Sequence, residues 1–301
     1  MLEAIPQFEL YNPRETRKEM ANYFTAENSV DAFISRMTDD VDPRFRRVME
    51  ALIRHVHAFI KEVELTPHEW EKGIEFLTEA GQTCSDERQE FIMLSDVLGV
   101  SMLVDAINNR RPAGATETTV LGPFHVEGAP EREMGDNISL DGVGESCVFE
   151  GRVIDLQGKP IEGARIDVWS DNADGYYDVQ QPGLQPKWNN RGIFTTDSDG
   201  KYRFVGIKPV SYPVATDGPV GWILNNMGQH PYRPAHTHFV VTAPAYQNLV
   251  THVFVGDDPY IKSDTVFGVK ESLIAPFRKA TDGAAEWHCP FDFVMAPVTA
   301  G

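Results

Sequence analysis

The sequence predicts a mostly β protein with a helical front: a helical N-terminal domain over residues 1–112, then an antiparallel β-sandwich over residues 113–301. Apolar residues recur at helical spacing as far as Ile107. Beyond Arg111-Pro112-Ala113-Gly114, glycine and proline punctuate short β-type runs. The length, 301 residues, suits one large domain or two modest ones.

The helices have readable starts. A short one is expected over Ser29 to Met37. Asp42-Pro43 offers an N-cap with proline at the first helical position, and Val48, Leu52, His55, Val56, Phe59 and Val63 follow as an apolar stripe. Thr66-Pro67-His68-Glu69 is a capping box that opens the next helix, with Gly81 as its stop. Ser85, followed by Asp86 and Glu87, opens a third helix carrying Phe91, Leu94, Leu98, Met102 and Ile107. These stripes read as core or packing surface, and one face could join two chains.

Strands are expected at Cys147–Ile154, Ala164–Trp169, Thr237–Thr242, Leu249–Val255 and Phe291–Met295. Ser198-Asp199-Gly200 is expected to fold Ile193–Asp197 back onto Lys201–Val205 as a hairpin. Between Asp171 and Asn190 the chain is polar and strandless, the kind of long loop that usually carries function.

Composition removes several classes of function. Lys and Arg number 27 and Asp and Glu 45, for a net charge of −18, so the chain repels nucleic acid and anionic lipid. No stretch approaches the roughly 18 uninterrupted apolar residues of a membrane span. The opening MLEAIPQFEL has neither a basic leader nor a long apolar core, so no export signal is expected there. Cys84, Cys147 and Cys289 are odd in number and widely spaced, which fits buried thiols in a reducing cytoplasm rather than a disulfide framework or a cysteine zinc site.

Geometry sorts the histidines. His55 and His57 sit two apart on a helix, about 200° apart around its axis, and cannot share an ion. His236 and His238 open a strand, where residues two apart face the same side roughly 6.7 Å from one another. Spacing alone leaves both a metal pair and two satisfied core histidines open. A zinc hydrolase built on them would need a third ligand and a carboxylate base, and neither stands at suitable spacing. Tyr176-Tyr177 in the polar loop and Tyr212 in Pro209-Val210-Ser211-Tyr212-Pro213 lie in turn-rich segments.

Taken together, NADGYYDVQ, the tyrosine of KPVSYP and RPAHTHF resemble the intradiol ring-cleavage dioxygenases across nearly the whole chain. Within that family the resemblance is to members acting on hydroxyquinol, with catechol-cleaving members next. It implies one ferric iron (Fe3+) held by Tyr177, Tyr212, His236 and His238, with Tyr177 chosen over Tyr176 by its distance from Gly175. Two tyrosinates are hard anionic donors that favour ferric over ferrous iron. By the same resemblance Tyr212 releases the metal and takes a proton from the substrate. Arg233 stabilises negative charge on the ring, and His252, where catechol-cleaving members typically carry Gln, hydrogen-bonds an iron ligand or the peroxo intermediate. The pocket wall is implied to be Met93, Asp96, Val97, Val120, Leu121, Gly122, Pro123, Phe124, Val214, Ala215, Arg233 and Val266. Asp96 is suited to meet a third hydroxyl, and Leu121 departs from both the hydroxyquinol and catechol patterns. A homodimer through the N-terminal helices, with a phospholipid held there, is also implied.

Overall fold

A computed structural model describes residues 23–85, 88–281 and 283–298. The expected leader-free start and the acidic turn Asp86-Glu87 lie outside the described residues.

The helices come first. α1 spans Ser29–Ile34, shorter than expected, and α2 spans Pro43–Glu62. The Asp42 side chain caps α2 by accepting a 2.7 Å hydrogen bond from the Phe45 N–H. None of α2's residues is buried; Val48, Leu52, Val56, Phe59 and Val63 form an exposed apolar stripe. α3 spans Pro67–Thr83. Its capping box closes as the sequence predicts: the Thr66 N–H donates to Glu69 Oε2 at 2.9 Å, and the Glu69 N–H to Thr66 Oγ1 at 3.3 Å. The helix runs two residues past Gly81, since one glycine in a helix costs only about 1 kcal/mol and does not by itself stop it.

Where one long helix was expected there are two, α4 (Glu90–Val97) and α5 (Val100–Asn108). Gly99 breaks the run with φ 71°, a left-handed conformation that only glycine adopts at no cost. By compactness the chain divides into residues 1–75 and 76–301, a boundary inside α3.

The strands are β1 (Ser146–Asp155), β2 (Arg165–Trp169), β3 (Arg191–Thr195), β4 (Lys201–Ile207) and β5 (Tyr212–Pro213). After α6 (Pro219–Asn226) come β6 (Tyr232–Arg233), β7 (His236–Thr242), β8 (Leu249–Val255), β9 (Ile274–Ala275), β10 (Arg278–Lys279), β11 (Trp287–Pro290) and β12 (Phe293–Met295). One five-stranded sheet runs β3-β2-β7-β8-β9; a second joins β10, β11, β1 and β12, with β4 also on β1; β5 and β6 pair separately. The long ladders are antiparallel, but β1 pairs β11 and β12 in parallel and β8 pairs β9 in parallel. The architecture is therefore a mixed α/β one with six helices among the described residues.

The expected hairpin is not a hairpin. Its turn forms, with the Asp197 N–H bonded to Lys201 O at 3.1 Å, yet β3 pairs β2 while β4 pairs β1. The turn carries the chain from one sheet to the other, and Phe194 and Phe204 stack across the gap with centroids 5.0 Å apart. Each strand turns its apolar residues toward the space between the sheets, and packing those two inner faces against each other takes them out of water. One core cluster draws on both sheets, including Phe149, Ile166, Val168, Phe204, Phe239, Val253 and Phe293.

Candidate active site and metal centre

Each sequence-predicted ligand is positioned by its strand or loop. In the loop before β3, the Asn172 side chain accepts from the N–H groups of Asp174 and Tyr176, and Gln180 Oε1 accepts from the Tyr177 N–H at 2.9 Å. A buried ion pair, Arg191 Nε to Asp178 Oδ1 at 2.7 Å, ties the loop to β3. A long polar loop is thereby held with its backbone groups satisfied. Gly175, at φ 81°, has no side chain for a reason: a Cβ there would stand 2.9 Å from Tyr212 Cβ. That close approach brings the Tyr177 loop onto β5.

In the β5–β6 pair Tyr212 lies opposite Arg233. In the larger sheet His238 lies opposite both Trp169 and His252. His236 and His238 share one face of β7, as their spacing predicts. The donors converge. His238 Nε2 is 2.9 Å from Tyr177 Oη and 3.1 Å from His236 Nε2. Tyr212 Oη is 3.3 Å from Tyr177 Oη and 3.5 Å from His236 Nε2. Tyr176, the neighbouring tyrosine, is exposed.

All four side chains are buried. Burial, with Tyr212 beside it, holds the Tyr177 phenol well above its ordinary pKa, and burial raises Tyr212 despite the opposing Arg233 charge. Burial and Arg233 push His236 well below the usual histidine range; burial, His252 and His236 do the same for His238. Both imidazoles are therefore neutral near pH 7, with lone pairs to offer. His236 Nδ1 donates to Pro234 O at 2.7 Å, which leaves Nε2 facing the tyrosines as an acceptor. Two phenols and two neutral imidazoles with facing donor atoms, walled from water, fit a cation that would draw the phenol protons off. The set suits a hard trivalent ion.

Around this centre Trp169 stacks on the His238 ring at 4.7 Å and Phe124 on Tyr177 at 4.6 Å. Gly122, at φ 79°, backs His238 so closely that a Cβ would sit 2.9 Å from its Cε1. His252 is buried, its ring edge-on to His238 at 4.2 Å; burial, with His236 and Arg233 beside it, holds it well below the usual histidine range, against the opposing pull of the Val120 backbone carbonyl. His236, His238 and His252 also form a group whose ligating atoms lie within 4.8 Å of one another. Arg233 Nη1 is 3.0 Å from His236 Nε2.

The expected wall residues fall into separate groups. Met93, Val97 and Val214 join one apolar cluster with Val220 and Leu224 of α6. Phe124 belongs to the tyrosine cluster, and Val266 is buried in the loop after Asp264. Asp96 is partly buried, which raises its pKa, with Ser101 as hydrogen-bond partner and Arg233 and Asp264 near enough to act on it. Leu121, Pro123 and Ala215 are exposed, and Val120 is half-buried. Sequence reasoning missed Trp169 and Asp264. An aromatic ending a strand gives only a generic core signal, and nothing in the spacing links Asp264 to Arg233, 31 residues away.

Comparison with known proteins bears on this geometry. The family described as "Dioxygenase" matches residues 120–297, and that described as "Catechol dioxygenase N terminus" matches residues 42–116. A hydroxyquinol 1,2-dioxygenase of a Rhizobium species is 54% identical, covering 91% of this chain and 96% of its own. The crystal structure of a hydroxyquinol 1,2-dioxygenase from Pseudomonas putida DLL-E4 superposes with a TM-score of 0.85 at 46% identity, covering 91% of this chain and 97% of that one. Wild-type Acinetobacter radioresistens catechol 1,2 dioxygenase gives a TM-score of 0.80 at 28% identity, over 92% and 94% of the two chains. With both halves matched and the four donors gathered at one point, the chain belongs to the intradiol ring-cleavage dioxygenases.

Proposed function

We propose that this chain cleaves hydroxyquinol between its two adjacent hydroxylated carbons, taking up one O2 and yielding 3-hydroxy-cis,cis-muconate, which tautomerises to maleylacetate. The observation that carries the reading is the convergence of Tyr177, Tyr212, His236 and His238, with donor atoms 2.9–3.5 Å apart, in a chain similar to a hydroxyquinol 1,2-dioxygenase. These four residues would hold one ferric ion. When bound, the ion supplies Lewis acidity to a chelated diol and accepts electron density from the ring.

The chain's own residues do the rest. Both substrate hydroxyls must lose a proton to chelate: Tyr212 Oη, a phenolate while it holds the ion, would take one, and hydroxide the other. The permanent Arg233 charge, buried at the edge of the donor set, stabilises negative charge developing on the ring. Its pKa is raised: burial opposes the charge, but Asp264 and the two phenols outweigh it. His252, its ring centroid 4.9 Å from that of His236 and 4.2 Å from that of His238, stands close enough to act on a group bound beside the histidines. Phe124, Trp169 and Val266 keep water from the reacting ring. Asp96 is the carboxylate suited to the third hydroxyl, in a wall completed by Met93, Val97, Val120, Leu121, Gly122, Pro123, Val214 and Ala215. Catechol or a chlorinated catechol is the second reading, supported by the likeness to a catechol 1,2-dioxygenase of Candida albicans at 35% identity.

The two five-stranded sheets, sharing one core, act as a β-sandwich that carries the metal, and residues 1–112 supply helices for dimerisation and part of the pocket wall. The exposed α2 stripe supports a homodimer with a phospholipid chain in its seam. The free thiols of Cys84, Cys147 and Cys289 suit a reducing cytoplasm, and no described helix is long and apolar enough to cross a membrane.

Oxygen uptake by iron-loaded protein, with the product identified, tests the function. Hydroxyquinol should be consumed with one O2 and faster than catechol. No uptake with any of these diols would refute it.

A further inference from the structure

We infer that Asp264 is a positioning residue for ring cleavage: it orients the Arg233 guanidinium toward the metal histidines and shapes the pocket loop with the same carboxylate. The inference rests on the proposed role of Arg233.

Asp264 and Arg233 are both buried, their side chains 2% and 5% exposed. Asp264 Oδ1 accepts from Arg233 Nε at 3.2 Å and Oδ2 from Nη2 at 3.4 Å. This side-on pairing uses one edge of the planar guanidinium and leaves Nη1 aimed at His236 Nε2, 3.0 Å away. A guanidinium is rigid, so fixing two of its nitrogens fixes the third. Asp264 is the only ion-pair partner of Arg233 among the described residues.

The carboxylate also organises its own loop. Oδ1 accepts from the Val266 N–H at 3.2 Å and Oδ2 from the Gly268 N–H at 2.9 Å. Two arginine donors and two backbone donors thus saturate it. Gly268 allows the wedge to close: a Cβ there would stand 3.0 Å from both Arg233 Nη2 and Asp264 Oδ2. Between the two backbone contacts lies Phe267, at φ 60°, its ring 3.3 Å from the Cβ position of Gly99 at the α4–α5 break. One carboxylate therefore sets the direction of the catalytic charge and the place of Val266, a wall residue. A surface ion pair would do neither, because solvent would let both partners swing.

The test compares iron-loaded wild type, Asp264→Asn, Asp264→Glu, Arg233→Lys and the Arg233→Lys/Asp264→Asn pair. Melting temperature, the visible band, and kcat and KM with hydroxyquinol are read for each. Asp264→Asn should keep the iron band and lower kcat about tenfold to a hundredfold, the cost of misplacing a reacting group by about 1 Å, with a smaller change in KM. Asp264→Glu, which keeps the charge, should recover part of kcat. The double variant should be no slower than Arg233→Lys alone, since both act through one group. Wild-type kcat in Asp264→Asn beside an impaired Arg233→Lys would overturn the inference. So would loss of fold in both Asp264 variants, which would make the pair purely structural. Wild-type kcat in Arg233→Lys would remove the role of Arg233 and this inference with it.

Discussion

Tyr177 Oη stands 2.9 Å from His238 Nε2, though the two residues are 61 positions apart and one lies in a loop, the other in a central strand. The contact depends on Gly175 approaching β5 and on Gly122 backing the His238 ring.

Gly122→Ala should therefore damage the metal site without touching a donor. The new Cβ would lie 2.9 Å from His238 Cε1, at a φ of 79° that alanine adopts at a cost of roughly 1–2 kcal/mol. Thermal melting should fall, and iron per chain after reconstitution should fall further than melting alone explains. Full iron content would show that His238 has room to move.

Asp96→Ala should change substrate choice. Losing a charge-assisted hydrogen bond of about 1.5–3 kcal/mol lowers the hydroxyquinol-to-catechol ratio of kcat/KM by roughly tenfold to a hundredfold. Steady-state rates on both substrates decide it; an unchanged ratio removes Asp96 from specificity.

The thiols give a pH prediction. Burial pushes the Cys147 thiol from 9.0 up to about 12, and Cys289 rises in the same direction, also by burial. At pH 8 an alkylating reagent should modify Cys84 in the folded protein and reach the other two only on unfolding. A raised folded pKa means this contribution to stability is fully present below pH 9 and is lost as pH rises toward about 12. There the unfolded chain sheds the proton first, at up to about 1.4 kcal/mol per pH unit. Urea unfolding at pH 8 and 10.5 should show a steeper loss for wild type than for Cys147→Ala; equal slopes would contradict the burial of Cys147.

The exposed stripe of α2 predicts association. Leu52→Glu places a charge among Val48, Val56 and Phe59 and should shift sedimentation from dimer to monomer while leaving the melting temperature of the chain nearly unchanged. A wild-type chain that sediments as a monomer at micromolar concentration would contradict the proposed seam.

Much of this was legible in the residues. The Asp42 and Thr66 caps, β7 with its paired histidines and β8 are local patterns, and local patterns survive folding. What was not legible is pairing over distance. β11 joins β1 in parallel from about 140 positions away, and no periodicity announces that. The turn at Ser198-Asp199-Gly200 has hairpin chemistry, yet it serves as a crossing because both its flanking strands have a core to fill. The same limit hid Asp264: a buried arginine demands a counter-charge, but among 45 acidic residues the sequence does not say which.

The central claim is that two phenols and two imidazoles hold one ferric ion, and the visible spectrum with metal analysis tests it most directly. Wild type should carry about one iron per chain and a burgundy phenolate-to-iron charge-transfer band that weakens in Tyr177→Phe and in Tyr212→Phe. A protein that stays colourless and iron-free after reconstitution, or a band unaffected by either substitution, would contradict the account.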